Sequence, residues 1–255
     1  MIDIHCHILP GVDDGAKHVA QSIEMARDAV SKGITTIIAT PHHRNGSYDN
    51  YKIDIIEAVK ELNTVIQEED IPLILLPGQE TRINGDIITD LENGHLLPLN
   101  ETSGYLFVEL PSSHVPRYTK QILFDLQVKG ITPIIVHPER NKEIMENPNL
   151  LYEFVSDGAL TQVTAGSVAG MFGKKIKNLS LQLIESELTH FIASDAHNIT
   201  SRGFANVEAH SVVKKEFGSQ RLYWFLENAQ FLINNQIVIS NPPEQIKRKK
   251  ILGIF

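Results

Sequence analysis

Metal-ligating side chains recur at the ends of apolar runs along this chain. His5 and His7 close Asp3-Ile4-His5-Cys6-His7; His42 and His43 follow Thr40-Pro41; Glu80 ends Pro77-Gly78-Gln79-Glu80. Glu109 ends Leu106-Phe107-Val108-Glu109, His137 opens His137-Pro138-Glu139-Arg140, and Asp195 and His197 share Ser194-Asp195-Ala196-His197. Imidazoles mixed with carboxylates are the ligands that Mn²⁺, Fe²⁺ and Zn²⁺ accept. His5 and His7 are two apart, so on a strand both point to one face, with Asp3 beneath them and Cys6 facing away. Two imidazoles buried side by side without a partner are costly, whereas a shared cation satisfies both. A cluster of such groups points to hydrolysis, in which divalent cations lower the pKa of a water and stabilise charge on a phosphoryl group.

Each candidate has a plainer reading. Glu80 or Glu109 alone could be a solvated loop charge, and Asp14, in Gly11-Val12-Asp13-Asp14-Gly15, could cap the helix that follows. His42 and His43 face opposite ways on an extended segment, so one of them is expected to ligate, and His42, directly after Pro41, is preferred. Arg140 offers a bidentate fork for phosphate oxygens, or else a surface ion pair. His18, His95, His114, His190 and His210 lie in helices, loops or strand starts and read as ordinary.

The elements that position these residues alternate. Strand-length apolar runs cover residues 2–8, 35–40, 72–76, 105–110, 132–136, 160–168 and 190–193, continuous as in parallel strands covered on both faces. Helical patterns lie between them at 16–32, 51–69, 118–129, 148–156, 176–187 and 206–216, with Gly33 and Gly130 placed as C-terminal caps. Seven strands alternating with helices predict an α/β fold of the (β/α)7 barrel type, one strand short of the usual eight, with its site at the C-terminal strand ends. An open doubly wound sheet is the alternative, but no Gly-x-Gly-x-x-Gly turn follows an early strand.

The 255 residues, 42% hydrophobic, suffice for one barrel-sized domain, and no repeat or linker divides them. The net charge of −8 argues against a nucleic-acid surface. No run approaches the roughly 18 apolar residues of a membrane span. The N-terminus opens directly into a strand, so neither a span nor a secretory signal is expected. The single cysteine forms no internal disulfide, which fits a reducing cytoplasm. The basic-apolar tail, residues 247–255, reads as a C-terminus docking on the barrel or as a self-association patch.

These strings, read together with Leu9-Pro10-Gly11-Val12-Asp13-Asp14-Gly15 and Ser194-Asp195-Ala196-His197-Asn198, resemble the polymerase-and-histidinol-phosphatase (PHP) superfamily. Within it they resemble the bacterial tyrosine-protein phosphatases of capsule and exopolysaccharide operons, the CpsB/CapC family. The likeness runs from Met1 to about Arg202, without departure at a motif position. It implies a distorted, TIM-like seven-stranded barrel of PHP type holding up to three divalent metals, Mn²⁺ first among them. One metal would take His5, His7, Glu80 and Asp195; a second would share Glu80 and add Glu109 and His137; a third would use Asp14, His42 and His197. Arg140 and Arg202 would grip the phosphate, and the partner would be a phosphotyrosine-bearing protein such as a bacterial tyrosine kinase tail. Three dications outweigh four carboxylates, so the pocket would be cationic inside an acidic protein, as a phosphate substrate requires.

Other functions remain open at this level. A histidinol-phosphate phosphatase or another PHP phosphoesterase shares these motifs, and a catalytically idle metal-binding regulatory partner could retain them for stability. An amidohydrolase also begins with His-x-His, but no strand-end lysine is evident. A cysteine phosphatase is excluded, because Cys-x5-Arg from Cys6 would need arginine where Val12 stands.

Overall fold

Apolar runs that offer side chains to both faces build parallel strands here, and every pairing among them is parallel. The computed structural model describes residues 1–246 and contains the strands β1 (Ile2–Cys6), β2 (Thr36–Ala39), β3 (His42–His43), β4 (Ile74–Pro77), β5 (Glu80–Arg82), β6 (Tyr105–Glu109), β7 (Thr132–Val136), β8 (Leu160–Thr164) and β9 (Phe191–Ala193). They form one sheet ordered β1-β2-β4 and a second ordered β3-β5-β6-β7-β8-β9.

Seven strands were expected, and the difference lies in two breaks. The run through Thr40 stops at Ala39 and resumes as β3 past Pro41, which has no N–H for a ladder. The run through Leu76 stops at Pro77 and resumes as β5 past Gly78, where a Cβ would stand 2.6 Å from Ile38 Cγ2. Backbone bonds cross both breaks, from Gly78 N to Ala39 O (2.9 Å) and from Glu80 N to Pro41 O (3.0 Å). Beyond β9, Asp195 N donates to His5 O and His7 N to Ala196 O, both at 2.9 Å, so the last strand reaches the first. The run 160–168 is strand only to Thr164; its remainder begins a short helix.

The helices are α1 (Val19–Ser31), α2 (Lys52–Glu68), α3 (Ile87–Glu92), α4 (Thr119–Val128), α5 (Lys142–Glu146), α6 (Asn149–Ser156), α7 (Ala165–Ala169), α8 (Lys174–Glu185) and α9 (Asn206–Ile233). α1 starts three residues later than its pattern, because Ala16 N is bound to His7 O at 3.1 Å and the His18 ring caps Gln21 N. α9 runs well past the expected Glu216 and is interrupted at Gly218, whose φ of 86° is left-handed. No helix of the described residues is long and apolar enough to cross a membrane. The tail whose docking was expected lies outside those residues.

Ile4, Ile38, Phe107, Ile134, Leu160 and Phe191, from six different strands, pack together beneath the strand ends. Their neighbours in sequence, including Leu106, Val108, Ile135 and Ile192, face the helical layer. Truncating Phe107, fully buried in that inner cluster, to alanine removes about 3–5 kcal/mol of packing. It also supports the site directly, for the His5 ring lies 5.0 Å from its own.

Candidate metal and phosphate centre

His5 and His7 leave β1 fully buried, with Nε2 atoms 3.3 Å apart. Their other ring nitrogens are engaged: His5 Nδ1 with Gln162 Oε1 (2.8 Å) and His7 Nδ1 with Asp13 Oδ2 (2.7 Å). With Nδ1 donating, the two Nε2 lone pairs face each other, an arrangement that repels unless a cation lies against both. Glu80 Oε2 is 3.5 and 3.3 Å from these nitrogens, and Asp195 Oδ1 is 3.4 and 3.3 Å from them. Glu80 Oε1 turns the other way, to His137 Nε2 at 2.6 Å.

Opposite this pair, the His197 ring stacks on His7 at 3.8 Å, donates from Nδ1 to Asp195 O, and aims Nε2 at Asp14 Oδ1 (3.3 Å). His42 Nε2 approaches the same oxygen at 3.3 Å. Three overlapping ligand groups result: His5, His7 and Glu80; His42, Glu80 and Glu109; and His7, Asp14, His42 and His197. All nine expected ligands therefore meet at one face. The grouping differs from the implied one in that His42 joins Glu80 and Glu109, His7 joins the third set, and His137 and Asp195 fall in none of the three; the contact of His137 with Glu80 agrees with it. His42 Nδ1, Glu80 Oε2 and His197 Nε2 are buried without a hydrogen bond, and the first two are only 2.8 Å apart. Native structures rarely leave such atoms unsatisfied. Divalent cations fit this donor set and would satisfy these atoms.

The charges agree with that fit. Burial would raise the Glu80 and Asp195 carboxyls, yet both are held well below their usual range, Glu80 by His42 and His5, Asp195 by Arg140 and His5. Asp14 is lowered by the adjacent His197 and His42 rings. Burial opposes charge on His7 and His42, but Asp13 raises the first and Glu80 and Asp14 the second. His197 instead falls to about 4, through burial and the neighbouring His7. A persistent negative field thus draws cations inward, and protons and metal ions compete for it.

Two guanidinium groups close the far side. Arg140 sits on a 3-10 turn (Pro138–Arg140) that His137 enters with a left-handed φ of 36°. Its Nη2 donates to Asp195 Oδ2 at 2.6 Å and its plane lies over Phe172 at 5.9 Å. That ion pair is half-buried, with Asp195 2% and the Arg140 side chain 23% exposed. Arg202 donates to the same Oδ2 (3.1 Å) and to Asp14 Oδ2 (3.4 Å). The cavity between them, about 290 Å³, is lined by His42, Glu109, His137, Arg140, Asp195 and Arg202.

Several supporting residues escape a reading of the sequence. Asp13 accepts from His7, Gly15 N and His42 N. Gln162 lies in mid-strand, Asp3 accepts from Ser194, and Glu139 accepts from Thr164 N and Ser167 Oγ. Arg82 forks onto Glu109 at 2.9 and 2.8 Å; its spacing of two from Glu80 on a strand was the available signal. His43 points away from the cluster, edge-on to Tyr51 at 5.2 Å. Cys6 is buried, with its thiol pushed up by burial and directed to Ala196 O.

Comparison with known proteins gives a consistent result. The family described as "Capsular polysaccharide synthesis, CpsB/CapC" matches residues 1–234. The chain is 55% identical over 255 residues to the tyrosine-protein phosphatase YwqE of Bacillus subtilis (strain 168), covering 100% of both. It is 42% identical over 263 residues to the putative tyrosine-protein phosphatase CapC of Staphylococcus aureus, again covering 100% of both. It superposes with a TM-score of 0.95 and 55% identity, over 97% of this chain and 100% of the other, on a crystal structure from work on B. subtilis YwqE and Streptococcus pneumoniae CpsB, described there as unique metal-dependent tyrosine phosphatases. Ligand motifs, their convergence and similarity along the full length lead to one assignment: the chain belongs to the CpsB/CapC family.

Proposed function

We propose that this chain is a metal-dependent protein-tyrosine phosphatase that hydrolyses phosphotyrosine in proteins, with capsule or exopolysaccharide synthesis as its setting and a bacterial tyrosine kinase tail as its substrate. The observation that carries the proposal is the meeting of nine metal-ligating side chains, some with unspent buried acceptors, beside a cavity of about 290 Å³ that His42, Glu109, His137 and Asp195 line together with Arg140 and Arg202. In this reading residues 1–255 are one domain, and the two sheets are a single distorted seven-stranded barrel of PHP type. The backbone bonds across the strand breaks and between β9 and β1 support that closure. The protein is placed in the cytoplasm.

His5, His7, Glu80 and Asp195 would hold one divalent ion, Glu80, Glu109 and His137 a second, and Asp14, His42 and His197 a third, with Mn²⁺ preferred over Fe²⁺ and Zn²⁺. The oxygens of Glu80 diverge, Oε2 toward His5 and His7 and Oε1 toward His137, so the one side chain can serve both sets. Divalent ions bound there supply Lewis acidity, which makes water a competent nucleophile near neutral pH and neutralises phosphoryl charge. Asp13 and Gln162 hold His7 and His5 with Nε2 toward the cluster. Arg140 and Arg202, both anchored on Asp195 Oδ2, bind the nonbridging oxygens and stabilise charge as it shifts in the transition state. The phenol of tyrosine, with pKa about 10, is expelled more readily than the alkoxide of serine. Cys6, buried with its thiol directed to Ala196 O, takes no part.

The test compares kcat/KM, with added Mn²⁺, on a phosphorylated tyrosine kinase tail, histidinol phosphate and a single-stranded oligonucleotide. The phosphotyrosyl substrate is expected to be preferred; equal or better turnover of either rival overturns the substrate assignment. Absence of turnover on all three leaves a metal-binding partner without catalysis.

A further inference from the structure

Arg202 belongs to an exposed loop, and exposed loops leave long side chains free to wander. Thr200 and Ser201 are exposed, as is 45% of Ile199, so apolar packing does not hold this segment. One side chain fastens it. Asn198 Oδ1 accepts from three successive backbone amides, Thr200 N (2.9 Å), Ser201 N (2.8 Å) and Arg202 N (3.1 Å), and also from the Thr200 hydroxyl (3.0 Å). The loop is closed from the other direction by His197 N and Asn198 N, which both donate to Arg202 O (2.8 and 3.2 Å). Gly203 completes it; a Cβ there would lie 3.3 Å from Asn198 O. A five-residue ring is thereby closed by one side-chain amide oxygen and two backbone bonds, and the guanidinium at its end reaches Asp14 and Asp195.

We propose that Asn198 is the positioning residue for Arg202: its side-chain oxygen sets the loop so that the guanidinium stands beside that of Arg140, ready to receive a phosphoryl group. Asn198 does not itself touch substrate. The inference rests on the phosphatase reading of the site and deepens it. An asparagine oxygen suits this role because a short amide can hydrogen-bond the backbone two to four residues on. Fixing the loop in advance spares the ordering of a long side chain when phosphate binds.

The test uses the metal-loaded full chain, p-nitrophenyl phosphate as substrate and inorganic phosphate as a binding probe in calorimetry. Asn198→Ala should raise KM and the phosphate Kd by about tenfold with a smaller change in kcat. Asn198→Asp, which keeps the acceptor, should restore most of the phosphate affinity. The deciding measurement is the double variant. If Asn198 acts through Arg202, adding Asn198→Ala to Arg202→Ala changes phosphate Kd no further. An equal tenfold loss in both backgrounds overturns the proposal, as does an Asn198→Ala loss traced to metal content. An Arg202→Ala variant that binds phosphate normally overturns it too. Wild-type protein without turnover that still binds phosphate through Arg202 and Asn198 rejects the phosphatase reading alone.

Discussion

At the scale of single residues, the site depends on which nitrogen of each imidazole faces inward. Asp13 decides this for His7, through a 2.7 Å contact with Nδ1. An amide at that position can offer N–H instead of accepting, so Asp13→Asn frees the ring to turn or change tautomer. Mn²⁺ affinity should fall by about 10–100-fold, measured by titrating chelator-stripped protein; unchanged affinity would mean that the other ligands hold His7 unaided. Arg140 acts on charge and not on metal. Arg140→Ala should lower kcat/KM by roughly two orders of magnitude, about 3 kcal/mol, at constant metal content. Arg140→Lys should recover little of it, because an ammonium lacks the planar fork. Kinetics of the alanine variant that match wild type would reduce Arg140 to a structural partner of Asp195.

At the scale of elements, histidines that read as ordinary still carry structure. His190 directly precedes β9 and its Nδ1 accepts from Thr161 N of β8 at 3.1 Å, while its carbonyl accepts from Asn228 of α9. Burial lowers its pKa from 6.5 to about 4, so folding favours the neutral ring. The sign follows: this contribution is complete above pH 6.5 and is lost as pH falls toward 4. The shift corresponds to on the order of 3 kcal/mol. Urea unfolding of wild type and His190→Phe between pH 7.5 and 4 should show a stability difference that shrinks on acidification. Taking the difference isolates this ring from the titrating site histidines, and a pH-independent difference would contradict the assignment. His190 could be placed at a strand start from its sequence, but its partners on β8 and α9 could not, since neither is local.

At the scale of the whole molecule, buried carboxylates make the fold and the metals interdependent. Glu80 and Asp195 are almost fully buried and ionised, at a net chain charge of −8. Removing cations should leave that charge poorly compensated. Stripping the protein with chelator should therefore lower Tm, and Mn²⁺ at a hundred times its Kd should restore about 2.7 kcal/mol. Because His7 and His42 are drawn toward protonation by Asp13, Glu80 and Asp14, binding releases protons and the Tm gain should be larger at pH 8 than at pH 6. Scanning calorimetry decides both points; a gain independent of pH would show that these rings are already neutral. Two separated transitions would contradict a single domain.

Parallel strands interleaved with helices, and imidazoles or carboxylates at the strand ends, could be read from the sequence because both are local patterns. Apolar runs identify strands, a period of two assigns faces, and parallel order sends the C-terminal ends to one side. Only the tertiary structure decided how the ligands divide into groups, and what orients them. His5 meets Gln162 across 157 residues, Arg140 meets Asp195 across 55, and Arg82 grips Glu109 across 27. Such pairs depend on the lateral register between strands, which runs unshifted past the breaks at Pro41 and Gly78, where Ala39 pairs with Pro77 and His42 with Glu80. Register is settled when the buried faces of strands distant in the chain are matched in the packed sheets.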